Sequence, residues 1–454
     1  MDRATTIRNI AYGQLMLPLS LAALPVGIYL VPMYAIELGV TLTQLGLVMM
    51  IARIFDVLTD PLIGYLSDKE HPILGSYYFW LGAGTVVMLS GIYFLFLPGE
   101  IWGTSYVFLW LIVFYLGWTM IFIPYLSWGT RIADSYASRS SLAGMREFFN
   151  FLGMLITASI PVVVTYLAND DANQNSRNVA ALGTSAMITL PLSILVLFFA
   201  MPRASAAGVD NPSDPQQGFM ARMSVILTDA PFRKLLTAVL IIGIGSGMWN
   251  STIILFLTYW AKLKTQAPTL IFIYLLFACV GTCVWVRLSK SISKHGAMVV
   301  AGFGTALGAT GLYFAEPGQF WEYAAVYGFM GVMAPSIQIL VTSIIADLVE
   351  IDARNTGIER AGLFFSFWSL FKKAADAIGI GVALNTLAWL GFRTEGVNSE
   401  TGLQALMAFV VIAPQLMIVL GVLVVRNFPI NASVTELAAI PGDDLVPRSD
   451  AKTG

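Results

Sequence analysis

The sequence predicts an all-α polytopic membrane protein whose twelve transmembrane helices form two six-helix halves. Three observations carry this expectation. Only 11% of the 454 residues are charged, against about 25% in a soluble domain, and 57% are apolar; such a surface suits lipid rather than water. Apolar runs of about 20 residues or more recur along the chain, too long and unbroken for the alternating strands of a membrane barrel. One polar stretch, Pro202 to Arg233, contains Asn211-Pro212-Ser213-Asp214-Pro215 and divides the runs six and six. The net charge of -2 leaves no basic surface for nucleic acid.

Taken in order, the spans are read at 10–38, 44–66, 77–97, 105–130, 148–168, 180–201, 233–261, 267–288, 297–315, 321–346, 362–391 and 402–426. The first follows Arg3 and Arg8 and is too long for a cleaved signal core. The second differs from its neighbours in carrying Arg53, Asp56 and Asp60, followed by Pro61. The eighth contains both cysteines, Cys279 and Cys283, which their apolar setting marks as packing residues. The eleventh carries Lys372, Lys373 and Asp376. Residues 1–201 form the first half with the cation site, 202–232 a cytoplasmic linker, 233–428 the second half, and 429–454 a polar cytoplasmic tail. Most of the 25 Lys and Arg, from Arg3 and Lys69 through Arg139, Arg146, Arg287, Lys290 and Lys294 to Arg426, fall on one side of this alternation. That side is the cytoplasm by the positive-inside rule, so both termini are expected inside a cell (inner) membrane.

Enzyme chemistry has little to stand on. No G-x-x-x-x-G-K-[ST] loop is present, and the two histidines, His71 and His295, have no second ligand nearby in sequence. The chain is therefore read as no enzyme, with no cofactor beyond a coupling ion and no metal beyond Na⁺.

The informative residues are charges where lipid should be. A charge at mid-bilayer costs at least about 2.5–3.5 kcal/mol on insertion scales. Asp56 and Asp60 are four apart, so both carboxylates project from one helix face and repel unless something positive neutralises them. A bound Na⁺, a shared proton or a lysine from another helix would each serve. Thr59 adds an oxygen, and Pro61 frees a carbonyl in the preceding turn. The alternative is a local Arg53–Asp56 pair. Lys373 is open to two readings, a local pair with Asp376 or a partner for the second span. Asp347, Glu350 and Arg360 sit where the tenth span leaves the membrane and read as a cytoplasmic gate or a solvated rim. Trp80, Trp102, Trp260, Trp321 and Trp389 lie near span ends as interface anchors, whereas Trp128, Trp249 and Trp368 are placed to line a cavity.

These residues resemble a known pattern. Arg53-Ile54-Phe55-Asp56-Val57-Leu58-Thr59-Asp60-Pro61-Leu62-Ile63-Gly64 with Asp68, Ile123-Pro124-Tyr125 with Ser127-Trp128, and Ala346-Asp347-Leu348-Val349-Glu350 through Gly357, Arg360, Gly362 and Lys373 are similar to the glycoside–pentoside–hexuronide:cation symporters. These form the melibiose-permease-like branch of the major facilitator superfamily. The resemblance runs from Ala11-Tyr12-Gly13 to the last span. It implies cation ligation by Asp56, Thr59, Asp60 and Thr119, coupling through Lys373 and Arg53, and a solute site at Ser20, Phe122, Trp128, Arg146, Gln338, Trp368 and Ser369. Two acidic positions that hold sugar in that branch fall here on Ser20 and Phe122, and a tryptophan position falls on Leu126. The cation machinery is thus retained without the galactoside clamp.

The expectation is a monomeric secondary transporter that couples Na⁺ or H⁺ to a small organic solute by alternating access around a midplane cavity. A sugar or sugar acid is the family default. A less polar solute, such as a lysolipid or organic acid, is the runner-up. A receptor or scaffold would have no reason to keep Asp56, Asp60 and Lys373 together in the membrane.

Overall fold

The computed structural model describes residues 3–30, 33–34, 38, 40, 42–68, 77–99, 103–133, 135–168, 174–201, 228–358, 360–393, 398–426 and 428. The regular elements among them are helical and fall into twelve successive segments. The first half comprises α1 (Arg3–Gly13, continued by Met16–Ile28), α2 (Leu42–Ser67), α3 (Tyr77–Phe96), α4 (Thr104–Ile132), α5 (Tyr136–Ala168) and α6 (Gln174–Ala200). The second comprises α7 (Ala230–Leu255 with a π-helical turn Phe256–Trp260), α8 (Ala267–Ser291), α9 (Lys294–Phe314) and α10 (Phe320–Met333 and Pro335–Thr356). It ends with α11 (Ala361–Trp389) and α12 (Glu400–Met407, a π turn Ala408–Ile412, and Ala413–Val424). The linker expected at 202–232 lies outside the described residues up to position 227, as do the tail, Trp102 and His71.

Nine helices among the described residues are long and apolar enough to cross a membrane by themselves. Helix α11 is not one of them, because Lys372, Lys373 and Asp376 interrupt its middle. Inside the bundle Lys373 meets two carboxylates of α2, and Lys372 and Asp376 pair with each other at 3.3 Å.

Helix α1 breaks at Gln14-Leu15, where a neighbouring helix supplies a donor to the Tyr12 carbonyl, since a bilayer offers no water to do so. The Tyr125 hydroxyl donates to the Tyr12 carbonyl and the Tyr12 hydroxyl donates to the Tyr125 carbonyl, both at 2.9 Å, with the rings stacked 4.3 Å apart. Gln14 Nε2 donates to the Ser193 carbonyl on α6 at 2.8 Å. These bonds tie α1, α4 and α6 into one body.

The two halves meet along seams of α2 with α11 and of α5 with α8 and α10. At the end of the bundle bearing Arg3–Gly13 the seam is closed. Gly64 and Gly362 pass backbone to backbone, so a Cβ on either would collide with the other's carbonyl oxygen. Asp68 caps the start of α11 from across the seam, accepting from Gly362 N at 2.7 Å and Leu363 N at 2.9 Å. An acidic side chain at a helix N-terminus satisfies orphan donors and complements the dipole.

The same end accounts for the boundaries that hydropathy misplaced. Helix α5 begins at Tyr136 rather than 148, because Arg139, Ser140 and Arg146 find partners on α10 instead of water. Helix α10 runs on to Thr356 for the matching reason. Lys294, expected in a loop, is 1% exposed at the start of α9, with its ammonium 2.6 Å from Asp347. Trp80, expected as an interface anchor, is buried, whereas Trp321 and Trp389 are largely exposed.

Candidate functional site

Helix α2 places Asp56 and Asp60 one turn apart on the face that meets α4 and α11, and both are essentially excluded from solvent. Lys373 reaches across from the second half and lies 2.8 Å from Asp56 Oδ2 and 2.8 Å from Asp60 Oδ2. Thr119 on α4 completes the cluster, its hydroxyl 3.2 Å from Asp56 Oδ1 and 2.9 Å from Asp60 Oδ1. One hydroxyl carries one proton, so Thr119 can donate to only one carboxylate at a time. The four side chains, separated by up to 317 positions in numbering between 56 and 373, meet in one place. Both readings of Asp56 hold together, for Arg53 Nη1 also lies 3.3 Å from its Oδ2.

One sequence expectation needs correction here, and one open choice is decided. The Thr59 hydroxyl donates to the Asp56 carbonyl at 3.0 Å, which turns it along its own helix rather than toward the carboxylates. The partner of Asp376 is Lys372 at 3.3 Å, not Lys373, which the two aspartates of α2 hold. The i,i+4 and i,i+3 lysines both reach Asp376 along a helix, so sequence spacing alone does not choose between them.

A cavity of about 340 Å³ lies beside this cluster, between the halves and beyond the closed seam. Phe122, Gln338, Trp368 and Ser369 line it as expected, with the Phe122 and Trp368 rings 6.5 Å apart across the seam. Arg53, Tyr115, Trp118 and Lys372 line it too. Sequence reasoning missed Tyr115 and Trp118, although they precede Phe122 on one helix face by seven and four residues.

Other expected solute contacts lie elsewhere. Ser20 is buried, its hydroxyl within reach of the Met16 carbonyl at 2.8 Å and of Asn150 Oδ1 at 2.7 Å, to one of which it donates. Trp128 is fully buried beside Tyr77 and Tyr78, at 5.9 and 5.3 Å between centroids. Trp249 packs on the core of the second half. Arg146 is buried, paired with Glu147 at 3.0 Å, and donates to Thr342 Oγ1 on α10 at 2.9 Å. It ties the halves together in this state rather than facing the cavity.

The residues read as a gate divide into two groups. Asp347, 1% exposed, is held by Arg139 of the first half at 3.0 Å and by Lys294 at 2.6 Å. Glu350 joins the same group through Arg139 at 3.4 Å. Arg360 instead pairs with Asp352 within its own half, donating from Nε at 3.0 Å and from Nη2 at 2.6 Å. Among these gate residues, the bond across the seam is therefore Arg139's.

Residues 11–432 match the MFS/sugar transport protein family. The chain is 22% identical over 420 residues to the human sodium-dependent lysophosphatidylcholine symporter 1, covering 85% of this chain and 76% of that protein. It is 23% identical to an uncharacterised symporter of Synechocystis, over 87% of this chain and 89% of the other. Among solved structures, the fucose:proton symporter of E. coli superposes with a TM-score of 0.66 at 16% identity, over 93% of this chain and 97% of that one. At that identity the likeness speaks for the fold.

Proposed function

We propose that this chain, which belongs to the MFS/sugar transport protein family, is a symporter that couples Na⁺ or H⁺ to a small organic solute. One observation carries the reading: Lys373 of one half lies between Asp56 and Asp60 of the other, 2.8 Å from each. Buried carboxylates this close demand a positive charge. A coupling cation that takes the carboxylate oxygens, with Thr119 as a further ligand, competes with the Lys373 ammonium for the same place. Its binding therefore rewrites a bond that spans the two moving halves, which is what coupling requires.

The basic residues gathered at the closed end support a cytoplasmic position for that end and for both termini, in a cell membrane. The cavity then faces outward. In this reading the chain acts as a monomeric carrier rather than an enzyme, with no cofactor besides the coupling ion.

For the solute, the family description supports a sugar or sugar acid, and a cavity of about 340 Å³ suits a compact molecule, being near the low end of the roughly 300–1,000 Å³ usual for small-molecule sites. A lysolipid is the second reading, favoured by the aromatic wall of Phe114, Trp118, Phe122 and Trp368 and by the named substrate of the human relative. Uptake of labelled sugars, sugar acids and lysolipids into proteoliposomes, with inward Na⁺ or H⁺ gradients, tests both. Accumulation that collapses with the gradient is expected. Uptake that merely equilibrates, whatever the gradient, would remove the coupled reading.

A further inference from the structure

We propose that the solute is a monovalent anion, held between Arg53 and Lys372, and that charge balance in the cavity enforces its coupling to the cation. This rests on the cation-coupled reading above and adds the substrate's charge to it.

The charged side chains lining the cavity are Arg53, Lys372, Lys373 and Asp376. Asp56 and Asp60 lie directly behind Lys373. Three cations thus face three carboxylates, and the site is neutral as it stands. Lys373 is spent on its two short contacts. Arg53 and Lys372 are not: their side chains are 60% and 41% exposed. Each has one long contact to a carboxylate, at 3.3 Å. Arg53 otherwise lies over the Tyr115 ring, 5.0 Å from its centroid. A guanidinium has five donors and an ammonium three, so both retain donors for an incoming acceptor.

Binding of one cation at Asp56 and Asp60, whether Na⁺ or a proton, leaves the cavity with a surplus of one positive charge. Closing the halves over that surplus removes an uncompensated charge from water, which is costly. A monoanion on Arg53 and Lys372 restores neutrality. The empty and the fully loaded cavity are then the two neutral states, and the singly loaded ones resist closure. Transport of one cation with one monoanion is consequently electroneutral. Trp118, Phe122 and Trp368 provide an apolar wall for the rest of the molecule.

The test uses the full-length protein in nanodiscs and reads thermal melting together with tryptophan fluorescence. NaCl and pH titrations, with choline chloride as control, first read the cation site alone. Matched acids and amides (glucuronate and glucuronamide, benzoate and benzamide, hexanoate and hexanamide) are then titrated at saturating cation. At least one acid is expected to bind at least roughly tenfold more tightly than its amide. Arg53→Gln and Lys372→Gln should each weaken that acid at least roughly tenfold, the loss of one charge-assisted contact. In proteoliposomes, accumulation of that acid should not change when valinomycin clamps the potential at either sign.

Amides that bind as tightly as acids, acid binding untouched in both variants, or no acid of the panel binding beside an intact cation response would each overturn the assignment. Accumulation that follows the potential would overturn the charge balance. Acid binding through Arg53 and Lys372 without any cation response would instead sink the coupled reading, and with it the balance, while leaving the anion site standing.

Discussion

Removal of Lys373 should make the protein unstable without cation and unusually responsive to it. In Lys373→Ala, Asp56 and Asp60, 0% and 1% exposed, lose the ammonium that lies 2.8 Å from both. Breaking a buried ion pair by deleting one partner costs about 3–5 kcal/mol, and here one deletion leaves Asp60 without a cation among the described residues and Asp56 with only its 3.3 Å contact to Arg53. Thr119 compensates only one of them. The variant should therefore melt well below the parent in cation-free buffer. Cation should then rescue it more strongly than it stabilises the parent, because it no longer competes with an ammonium. A ligand at about 100 times its Kd contributes about 2.7 kcal/mol through linkage, so tighter binding appears as rescue at lower concentration. Differential scanning fluorimetry over a Na⁺ series at two pH values reads both quantities. Equal cation responses in parent and variant would refute the competition, and an unchanged melting point would refute the burial argument.

Other parts of the structure make separate commitments. In Gly362→Ala a Cβ would meet the Gly64 carbonyl, Asp68 and Ser67; at about 1–3 kcal/mol for overpacking, the ratio of closed to open seam should fall by roughly fivefold or more. Spin labels placed at the Asp68 end of the bundle should then report longer distances between the halves. Lys294→Met removes the nearer of the two cations on buried Asp347 and should cost about 3 kcal/mol or more, read by melting in detergent and partly restored in Lys294→Arg. Trp368→Ala should weaken solute binding, for it removes one ring of the facing pair with Phe122, whereas Trp128→Phe should lower stability and leave solute affinity alone, since Trp128 is buried away from the cavity.

Much of this molecule was readable because lipid imposes a simple grammar. Each crossing must be helical and mostly apolar, so the twelve segments follow from hydropathy, and Asp56 and Asp60 stand out as violations on one helix face. What hydropathy cannot read is polarity that another helix satisfies. The first turns of α5 look like loop until Arg139 and Arg146 are seen bonded to Asp347 and Thr342. Lys294 looks like a solvated loop residue until its carboxylate is found. Side-chain direction was equally hidden. The Thr59 hydroxyl had a carbonyl of its own helix in reach, a local choice typical of threonine. Ser20, Trp128 and Arg146 have the right chemistry for a solute, yet in this state each is directed at protein. Arg53 carried the opposite surprise: an apparent structural partner of Asp56 presents most of its side chain to the cavity.

The central claim is that Asp60 exchanges its Lys373 partner for the coupling cation. Asp60→Asn keeps the shape while removing the charge that the cation and Lys373 share, so it mimics the neutralised site. Reconstituted Asp60→Asn, assayed in parallel for solute exchange and for uphill uptake under an imposed Na⁺ or H⁺ gradient, tests it most directly. The account predicts that exchange persists while gradient-driven accumulation and the cation dependence of binding disappear. Accumulation against the solute gradient by Asp60→Asn would contradict it and would put the coupling site elsewhere.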